Sequence, residues 1–258
     1  MTDLAFLNRL RELELEAAFG PIHLPFDQLS VLEIGSGTGQ QLQLLSMLFS
    51  EARGLEIADA GYKQHRMANI IEYDGSHFPF PDHSFDVVFS SNTLEHIPHL
   101  DQIAAECKRV LKPGGICVHI LPTATWKIWT FVTHYLSVPQ IILQMFRKKK
   151  QNVRAAASGS DFVGVPKPKR SIGQKIIDLL VPALHGERGN TFSEIWYFRP
   201  AWWRATFRRQ QWHLRDDYPV GYFYTGYTFL GGFLSFAARK NLSKILGSSC
   251  HVFILEEK

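Results

Sequence analysis

The segment VLEIGSGTGQ, residues Val31 to Gln40, passes from a short apolar run into a turn that contains three alternating glycines. The apolar run from Ser30 to Ile34 has the length of a buried strand. After the glycines, Gln41 to Phe49 has the leucine spacing of a helix. Glycine suits positions where a ligand approaches the backbone closely. The stretch therefore predicts a strand, a ligand-binding turn and a helix in that order.

Short apolar runs and helical patterns alternate along the chain that follows. Strands are predicted at Arg53 to Ile57, Ile70 to Tyr73, Phe85 to Ser90 and Ile116 to Leu121, with a helix at Asp101 to Leu111. Strands separated by helices favour a parallel sheet covered on both faces. We therefore predict an α/β, doubly wound, Rossmann-like fold that binds its ligand beyond the carboxyl ends of the strands, where the glycines lie.

The glycine turn also limits the class of ligand. Its pattern is GxGxG, whereas nicotinamide and flavin sites use GxGxxG, and no Gly-Lys-Ser/Thr follows that would make a P-loop. Glu33 precedes the first glycine by two residues, and its carboxylate would repel a pyrophosphate but attract a positively charged ligand. S-adenosylmethionine carries both a sulfonium and an ammonium group. A tight turn that only packs a helix on a strand is the alternative.

Two further acids follow the next two predicted strands. Glu56 lies about twenty residues beyond the glycines, where an acid can accept hydrogen bonds from both ribose hydroxyls. Asp74 can accept from an adenine amino group while the amide of Gly75 donates, and Phe78 is then expected against the base. A solvated acid at the end of a strand is the simpler interpretation of Glu56.

Together, VLEIGSGTG, Glu56, DGSHFPFPDHSFDVVFSSNTLEHI and KRVLKPGGICVHI resemble the class I S-adenosylmethionine-dependent methyltransferases, in particular the small-molecule branch called methyltransferase type 11. The resemblance covers Ser30 to about Pro122. It implies S-adenosyl-L-methionine as the cofactor and a seven-stranded, mostly parallel sheet with an antiparallel last strand. Strands six and seven are then expected at Trp212 to Val220 and Cys250 to Glu257, and Lys112 to Gly115 as a turn before strand five.

The resemblance also implies a set of cofactor-binding residues. They surround the methionine end, hold the ribose and hold the adenine, and they are Glu33, Gly35, Ser36, Gly37, Gly39, Glu56, Asp74, Gly75 and Asn92. The family more often carries Asp at the positions of Glu33 and Glu56. Glu keeps the charge with a longer reach, so the function is expected to persist while the detailed contacts differ.

The whole chain, residues 1–258, is predicted to be a single methyltransferase domain. Residues 1–29 are expected to supply an N-terminal helix, opening at Thr2 or Asp3, and a lead-in to the core at 30–122. A substrate or lid insertion between strands five and six occupies 123–199, and 200–258 complete the sheet. Because the motifs do not cover the insertion, we expect substrate choice to reside there.

Near its start, the insertion contains an uncharged segment, Ile128 to Phe146. This segment is long enough for a membrane span, but it contains too many polar residues to predict one. The next segment, Arg147 to Lys175, holds nine Lys or Arg and one Asp, although the whole chain has a formal net charge of only +4. The uncharged segment is either a lid over the substrate or a membrane-interface element with Trp126 and Trp129 at the headgroup level. The basic run is a solvated loop, a contact with anionic lipid or, as the third interpretation, a contact with nucleic acid.

Basic charge confined to one loop does not form the track that a nucleic-acid enzyme needs, so no nucleic acid is expected as substrate. The predicted acceptor is a small molecule, a glycan or a lipid-linked group, methylated on oxygen. A hydroxyl acceptor needs a base, for which His96 is the first candidate and His185 and His134 are alternatives. The segment from His185 to Pro200 is either a simple loop followed by a helix start or a substrate-recognition loop, with His185 and Arg188 as the predicted recognition residues.

The three cysteines are an odd number, far apart and in apolar segments, so they predict neither a disulfide nor a metal site. The first twenty residues mix acids and bases without an apolar core, and no signal peptide is expected. These features predict a cytoplasmic protein, with the inner face of the membrane as a further location.

Two other functions fit part of the same pattern. A noncatalytic S-adenosylmethionine-binding or scaffold protein would share the motifs, since the family has no invariant catalytic side chain. A nicotinamide-dependent dehydrogenase would share the ribose acid, but the missing fingerprint glycine and Glu33 argue against it.

Overall fold

The computed structural model describes residues 4–58, 70–139, 182, 184–226 and 234–257. Seven strands form one sheet in the order β3-β2-β1-β4-β5-β7-β6. Strand β7 is antiparallel to both β5 and β6, and the other neighbours are parallel. The strands are β1 (Ser30–Ile34), β2 (Glu51–Ile57), β3 (Ile70–Tyr73), β4 (Phe85–Ser91), β5 (Leu111–Pro122), β6 (Trp212–Pro219) and β7 (Cys250–Glu257). The predicted Rossmann-like fold class is confirmed.

Helices cover both faces of this sheet. They are α1 (Leu4–Phe19), α2 (Gln40–Leu48), α3 (Leu100–Val110), α4 (124–139), the one-turn α5 (Glu194–Tyr197), α6 (Pro200–Arg209) and α7 (Phe236–Leu246). The predicted start of the first helix at Thr2 or Asp3 falls outside the described residues, as do residues 140–146 of the uncharged segment and the whole basic run of the insertion.

Strand β1 is buried along its whole length because a hydrophobic core packs on each of its faces. Leu32 and Ile34 belong to the core that includes Trp203 of α6, whereas Val31 belongs to the core that includes Leu45 of α2. Successive side chains of a strand point to opposite faces, so a five-residue apolar run can serve both cores. The glycine turn begins directly at the carboxyl end of this buried strand.

The segment Lys112 to Gly115 is not a separate turn before β5, as the sequence predicted, but lies within that strand. Phe85 of β4 pairs with Leu111 and Val87 pairs with Ile116, so the intervening residues form an irregularity in the ladder. Gly114 has φ +80°, which a residue with a side chain rarely adopts. The strand consequently begins earlier than its apolar run indicated.

Helix α4 turns its tryptophans inward, which corrects the expectation that Trp126 and Trp129 lie at a headgroup level. Trp126 is buried with its ring centroid 4.5 Å from that of His185. The indole N–H of Trp129 donates to the carbonyl of Leu246, at 3.3 Å. Both side chains therefore fix the helix to the domain instead of reaching toward an external surface.

The cysteines Cys107, Cys117 and Cys250 are buried free thiols.

Helix α2 offers a matched test of the core. Leu45 is fully buried, whereas Met47, two residues later, is 77% exposed. Leu45→Ala should lower the free energy of unfolding by about 2–5 kcal/mol because it leaves a cavity. Met47→Ala should change it by no more than about 0.5 kcal/mol. Urea unfolding followed by circular dichroism measures both, and equal effects would contradict the packing of α2 on β1.

Candidate cofactor and acceptor site

The glycine turn after β1 takes a left-handed conformation that favours glycine. Gly35, Gly37 and Gly39 have φ values of +74°, +53° and +84°. A Cβ atom added to Gly35 would lie 2.4 Å from Cγ2 of Thr93, so any side chain there would collide with the segment after β4. The N–H groups of Gly35 and Ser36 both donate to the carbonyl of Leu55, at 2.9 and 3.0 Å. The turn is thus fastened to β2 and kept close to β4.

Glu33 is a buried carboxylate with an unused acceptor. It is only 2% exposed, and its Oε2 has no hydrogen-bond partner among the described residues. Burial raises the pKa of Glu33 to about 7, against the opposing effect of Ser36. Because an unpaired buried acceptor is costly, the position fits a ligand that brings a donor, such as an ammonium group.

Glu56 connects the end of β2 to the glycine turn. Its Oε2 accepts from the N–H of Gly37 at 2.7 Å, and its Oε1 accepts from the N–H of Ile57 at 2.9 Å. A carboxylate has about four acceptor sites, so these two bonds leave capacity for two ribose hydroxyls. The backbone bonds hold the carboxylate in place before any ligand binds.

Asp74 lies exposed at the end of β3 and organises the turn that contains Gly75. Its Oδ1 accepts from the N–H groups of His77 and Ser76, at 2.9 and 2.8 Å. The hydrogen bond from His77 has the largest effect on the pKa of Asp74. Together with the bond from Ser76, it lowers this pKa to about 2. Phe78 is fully buried and packs edge to face on Tyr73 at 5.6 Å. The expectation that Phe78 lies against an adenine base is therefore wrong.

Asn92 immediately follows β4 in a left-handed conformation, with φ +50°. Its N–H donates to the carbonyl of Ile120 at 2.8 Å, and its Oδ1 accepts from the thiol of Cys250 at 3.4 Å. Since β3, β2, β1 and β4 are parallel neighbours, their carboxyl ends meet at one edge of the sheet. The predicted cofactor residues belong to these ends and the turns that follow them.

The same edge carries a cluster of two histidines around a buried acid. The rings of His96 and His185 are 4.7 Å apart. Oε1 of Glu95 lies 3.8 Å from Nε2 of His96 and 3.7 Å from Nε2 of His185. Burial lowers the pKa of His96, with Glu95 acting in the opposite direction, which favours the neutral imidazole. Sequence analysis missed Glu95, although it precedes His96 directly.

His185 reaches this cluster because its loop is fastened from two sides. The N–H groups of His185 and Gly186 donate to Oε1 of Glu194, at 2.8 and 2.5 Å, and Glu194 forms a buried ion pair with Lys127. The guanidinium of Arg188 donates to the carbonyls of Leu94, Glu95 and Ile97. Arg188 thus holds the insertion against the turn after β4. His134, the other histidine considered, is buried with its ring beside Tyr135.

Comparisons with known proteins agree with this geometry. Residues 32–119 match the family described as methyltransferase domain. Sterol 4-C-methyltransferase strm-1 of Caenorhabditis elegans is 32% identical over 99 residues, which are 34% of this chain and 30% of that protein. The phthiotriol/phenolphthiotriol dimycocerosates methyltransferase of Mycobacterium tuberculosis is 36% identical over 93 residues, which are 33% of this chain and 34% of that protein. The matches thus span about a third of these curated relatives.

A solved structure extends the agreement in fold to nearly the whole chain. The S-adenosylmethionine-dependent methyltransferase of Mesorhizobium loti superposes with a TM-score of 0.53 at 14% identity, covering 94% of this chain and 97% of that one. The family match contains the glycine turn and the carboxyl ends of β2, β3 and β4. Residues 32–119 therefore belong to the type 11 branch of the class I methyltransferases, whose cofactor is S-adenosylmethionine.

Proposed function

We propose that this protein transfers a methyl group from S-adenosylmethionine to a hydroxyl group of a lipid-like small molecule or a lipid-linked or glycan acceptor. The observation that carries the proposal is the buried, unpartnered oxygen of Glu33 beside the glycine turn. When bound, the cofactor supplies a methyl group on a positively charged sulfur. The protein's part is to align the cofactor and the acceptor and to handle the acceptor's proton.

On the cofactor side, each residue has a separate task. The carboxylate of Glu33 binds the ammonium group, and the backbone of Gly35 to Gly39 admits the methionine chain. Glu56 accepts from the ribose hydroxyls with the acceptor capacity that its two backbone bonds leave. Asp74 and Gly75 bind the adenine, and Asn92 contributes at the methionine end.

On the acceptor side, we assign the hydroxyl to the cluster after β4. His96 is partly exposed there, with 41% of its side chain accessible, and is the proposed catalytic residue. His185, the proposed substrate-recognition residue, has the rings of Trp126 and Phe198 around it, at 4.5 and 6.0 Å. Arg188 acts through the loop that it holds. These rings give the site an apolar wall, which suits a lipid-like acceptor.

Two of the relatives support this class of acceptor by their names, since one acts on a sterol and the other on dimycocerosates. Incubation of the purified protein with methyl-labelled cofactor and a lipid extract tests the proposal. Label should enter an extracted lipid or glycolipid as a methyl ether. Cofactor binding with no transfer to any extract would instead support the noncatalytic alternative.

Glu56 provides a direct test of the ribose contact. Glu56→Ala should weaken S-adenosylmethionine binding by about 1.5–3 kcal/mol, because charge-assisted hydrogen bonds are lost. Glu51 begins the same strand at its other end and pairs with Arg53 on the surface. Glu51→Ala is therefore the control and should bind normally in calorimetric titration. Equal affinity of wild type and Glu56→Ala would remove Glu56 from the site.

The raised pKa of Glu33 predicts a pH dependence of cofactor binding. Its carboxyl group takes up a proton as the pH falls through about 7, and the neutral acid no longer attracts an ammonium group. The dissociation constant for S-adenosylmethionine should therefore rise about tenfold between pH 8 and pH 6. Glu33→Gln should bind weakly with little change over this range. A flat profile for the wild type would contradict the assignment.

We further propose that α4 contacts an anionic membrane surface peripherally. Its outward side chains Ile128, Val132, Tyr135 and Leu136 are 45%, 41%, 51% and 55% exposed and recur at helical spacing. Phe192, which is 67% exposed, stacks on Phe131 at 5.5 Å and widens this apolar stripe. Within the described residues, no helix has the length and apolarity to cross a bilayer. In the sequence, Arg147 to Lys150 follow this helix closely and can add attraction to anionic lipid.

Vesicle flotation tests this contact. The wild type should float with anionic vesicles at low salt and be released at high salt. Binding should be lost in Lys148→Glu/Lys149→Glu/Lys150→Glu and in Ile128→Ser/Leu136→Ser, and kept in Met47→Ser, which alters an exposed apolar residue on α2. If the wild-type protein stays at the bottom of the gradient, the membrane contact is refuted and the apolar stripe is interpreted as part of a lid. Salt-sensitive binding to RNA that competes with turnover would contradict the predicted absence of a nucleic-acid substrate.

A further inference from the structure

We infer that Glu95, His96 and His185 form a binding site for a divalent transition-metal ion, with Zn²⁺ as the ion that best matches the donor set. One ligand atom from each residue lies within 4.8 Å of the other two. The carboxylate oxygen is 3.8 and 3.7 Å from the two imidazole nitrogens. In a tetrahedral zinc site, bonds of about 2.1 Å place neighbouring ligand atoms about 3.4 Å apart. The two carboxylate–imidazole distances are thus within a few tenths of an ångström of the tetrahedral value, and the two imidazole nitrogens lie within 4.8 Å of each other.

The environment of Glu95 independently points to a cation as its partner. The residue is 1% exposed, and neither of its carboxylate oxygens has a hydrogen-bond partner among the described residues. The imidazoles are too distant for hydrogen bonds, and Arg188 directs its guanidinium to backbone carbonyls. A buried carboxylate in this position is costly unless a cation compensates it. An ion between the three ligands would satisfy all of them at once.

The ligands are held in place by contacts outside the cluster. The N–H of Glu187 donates to the carbonyl of Glu95 at 2.9 Å, which joins the two ligand segments directly. A Cβ atom on Gly186 would lie 2.8 Å from that same carbonyl oxygen, so the segments pass as closely as glycine allows. Glu194 fixes the backbone of His185. Such outer contacts orient metal ligands and raise affinity.

The donor set narrows the choice of ion. Two imidazoles and one carboxylate suit zinc and its neighbours in the first transition row, whereas Mg²⁺ prefers oxygen ligands. Three protein ligands leave a coordination position open, as in catalytic zinc sites. The sequence-based expectation of no metal depended on cysteine spacing, and these ligands come from two segments far apart in the chain.

The role of the ion rests on the proposed function, although its binding does not. The cluster lies at the edge of the sheet where we place the acceptor hydroxyl, and an ion lowers the pKa of a hydroxyl that it binds. With the ion present, His96 serves as a ligand, and the hydroxyl proton leaves to solvent water. The oxygen then forms a bond to the methyl carbon while the carbon–sulfur bond breaks and its electron pair stays on sulfur.

The test measures metal binding without activity. The full chain is stripped with a chelator, dialysed and titrated calorimetrically with ZnCl₂, MnCl₂ and MgCl₂, and its zinc content is measured after reloading. We expect one Zn²⁺ per chain, bound more tightly than Mg²⁺. Glu95→Gln and His185→Gln should each weaken Zn²⁺ binding by at least about tenfold. His213→Gln is the matched control, because His213 is an exposed histidine that pairs with Glu256 on β7.

Normal affinity of both site variants for S-adenosylmethionine shows that they are folded, and either variant alone suffices if the other fails this check. The inference is overturned if the wild type does not bind Zn²⁺ stoichiometrically, or if a folded site variant binds it as His213→Gln does. Tighter binding of Mg²⁺ than Zn²⁺ would also overturn it. Stoichiometric zinc in a protein that methylates no acceptor would leave the metal site standing and refute only the proposed function.

Discussion

Burial of β1 on both faces is the constraint from which the site follows. Two cores enclose the strand, and its neighbours β2 and β4 occupy both of its edges. The polar residues therefore lie mainly at its carboxyl end. The carboxyl ends of the parallel strands β2, β3 and β4 lie at the same edge of the sheet. Glu33 is the exception, a carboxylate within the buried strand whose pKa is raised to about 7. A buried ionisable group of this kind costs stability, and such groups cluster at functional sites, which agrees with the ligand contact proposed for Glu33.

The parts of the fold that could be predicted from sequence are those with local causes. β1, β3 and β7 have the predicted bounds because each apolar run ends at glycines or polar residues. The acids Glu56 and Asp74 were found because they end such runs. Phe78 was misassigned since an aromatic residue after a strand looks the same in sequence whether it lines a pocket or fills a core.

The cluster after β4 could be predicted only in part because it depends on contacts between distant segments. The sequence NTLEHIPH drew attention to His96, but nothing local shows that His185 packs against it. That approach depends on Arg188, whose donors reach the backbone carbonyls of the turn, and on the acceptor supplied by Glu194. The burial of Trp126 is equally non-local, since Trp126 lies near the start of the insertion and its partners His185 and Phe198 lie near its end.

Two adjacent residues of helix α4 face opposite sides, one toward the surface and one toward the loop that carries His185. Ile128 is exposed on the outer face, and the preceding residue, Lys127, is buried in the ion pair that holds the backbone of His185 through Glu194. A rotation of the helix cannot move one of these side chains without moving the other. The proposed membrane contact and the proposed acceptor site therefore share one helical turn, and the ion pair of Lys127 with Glu194 links the two.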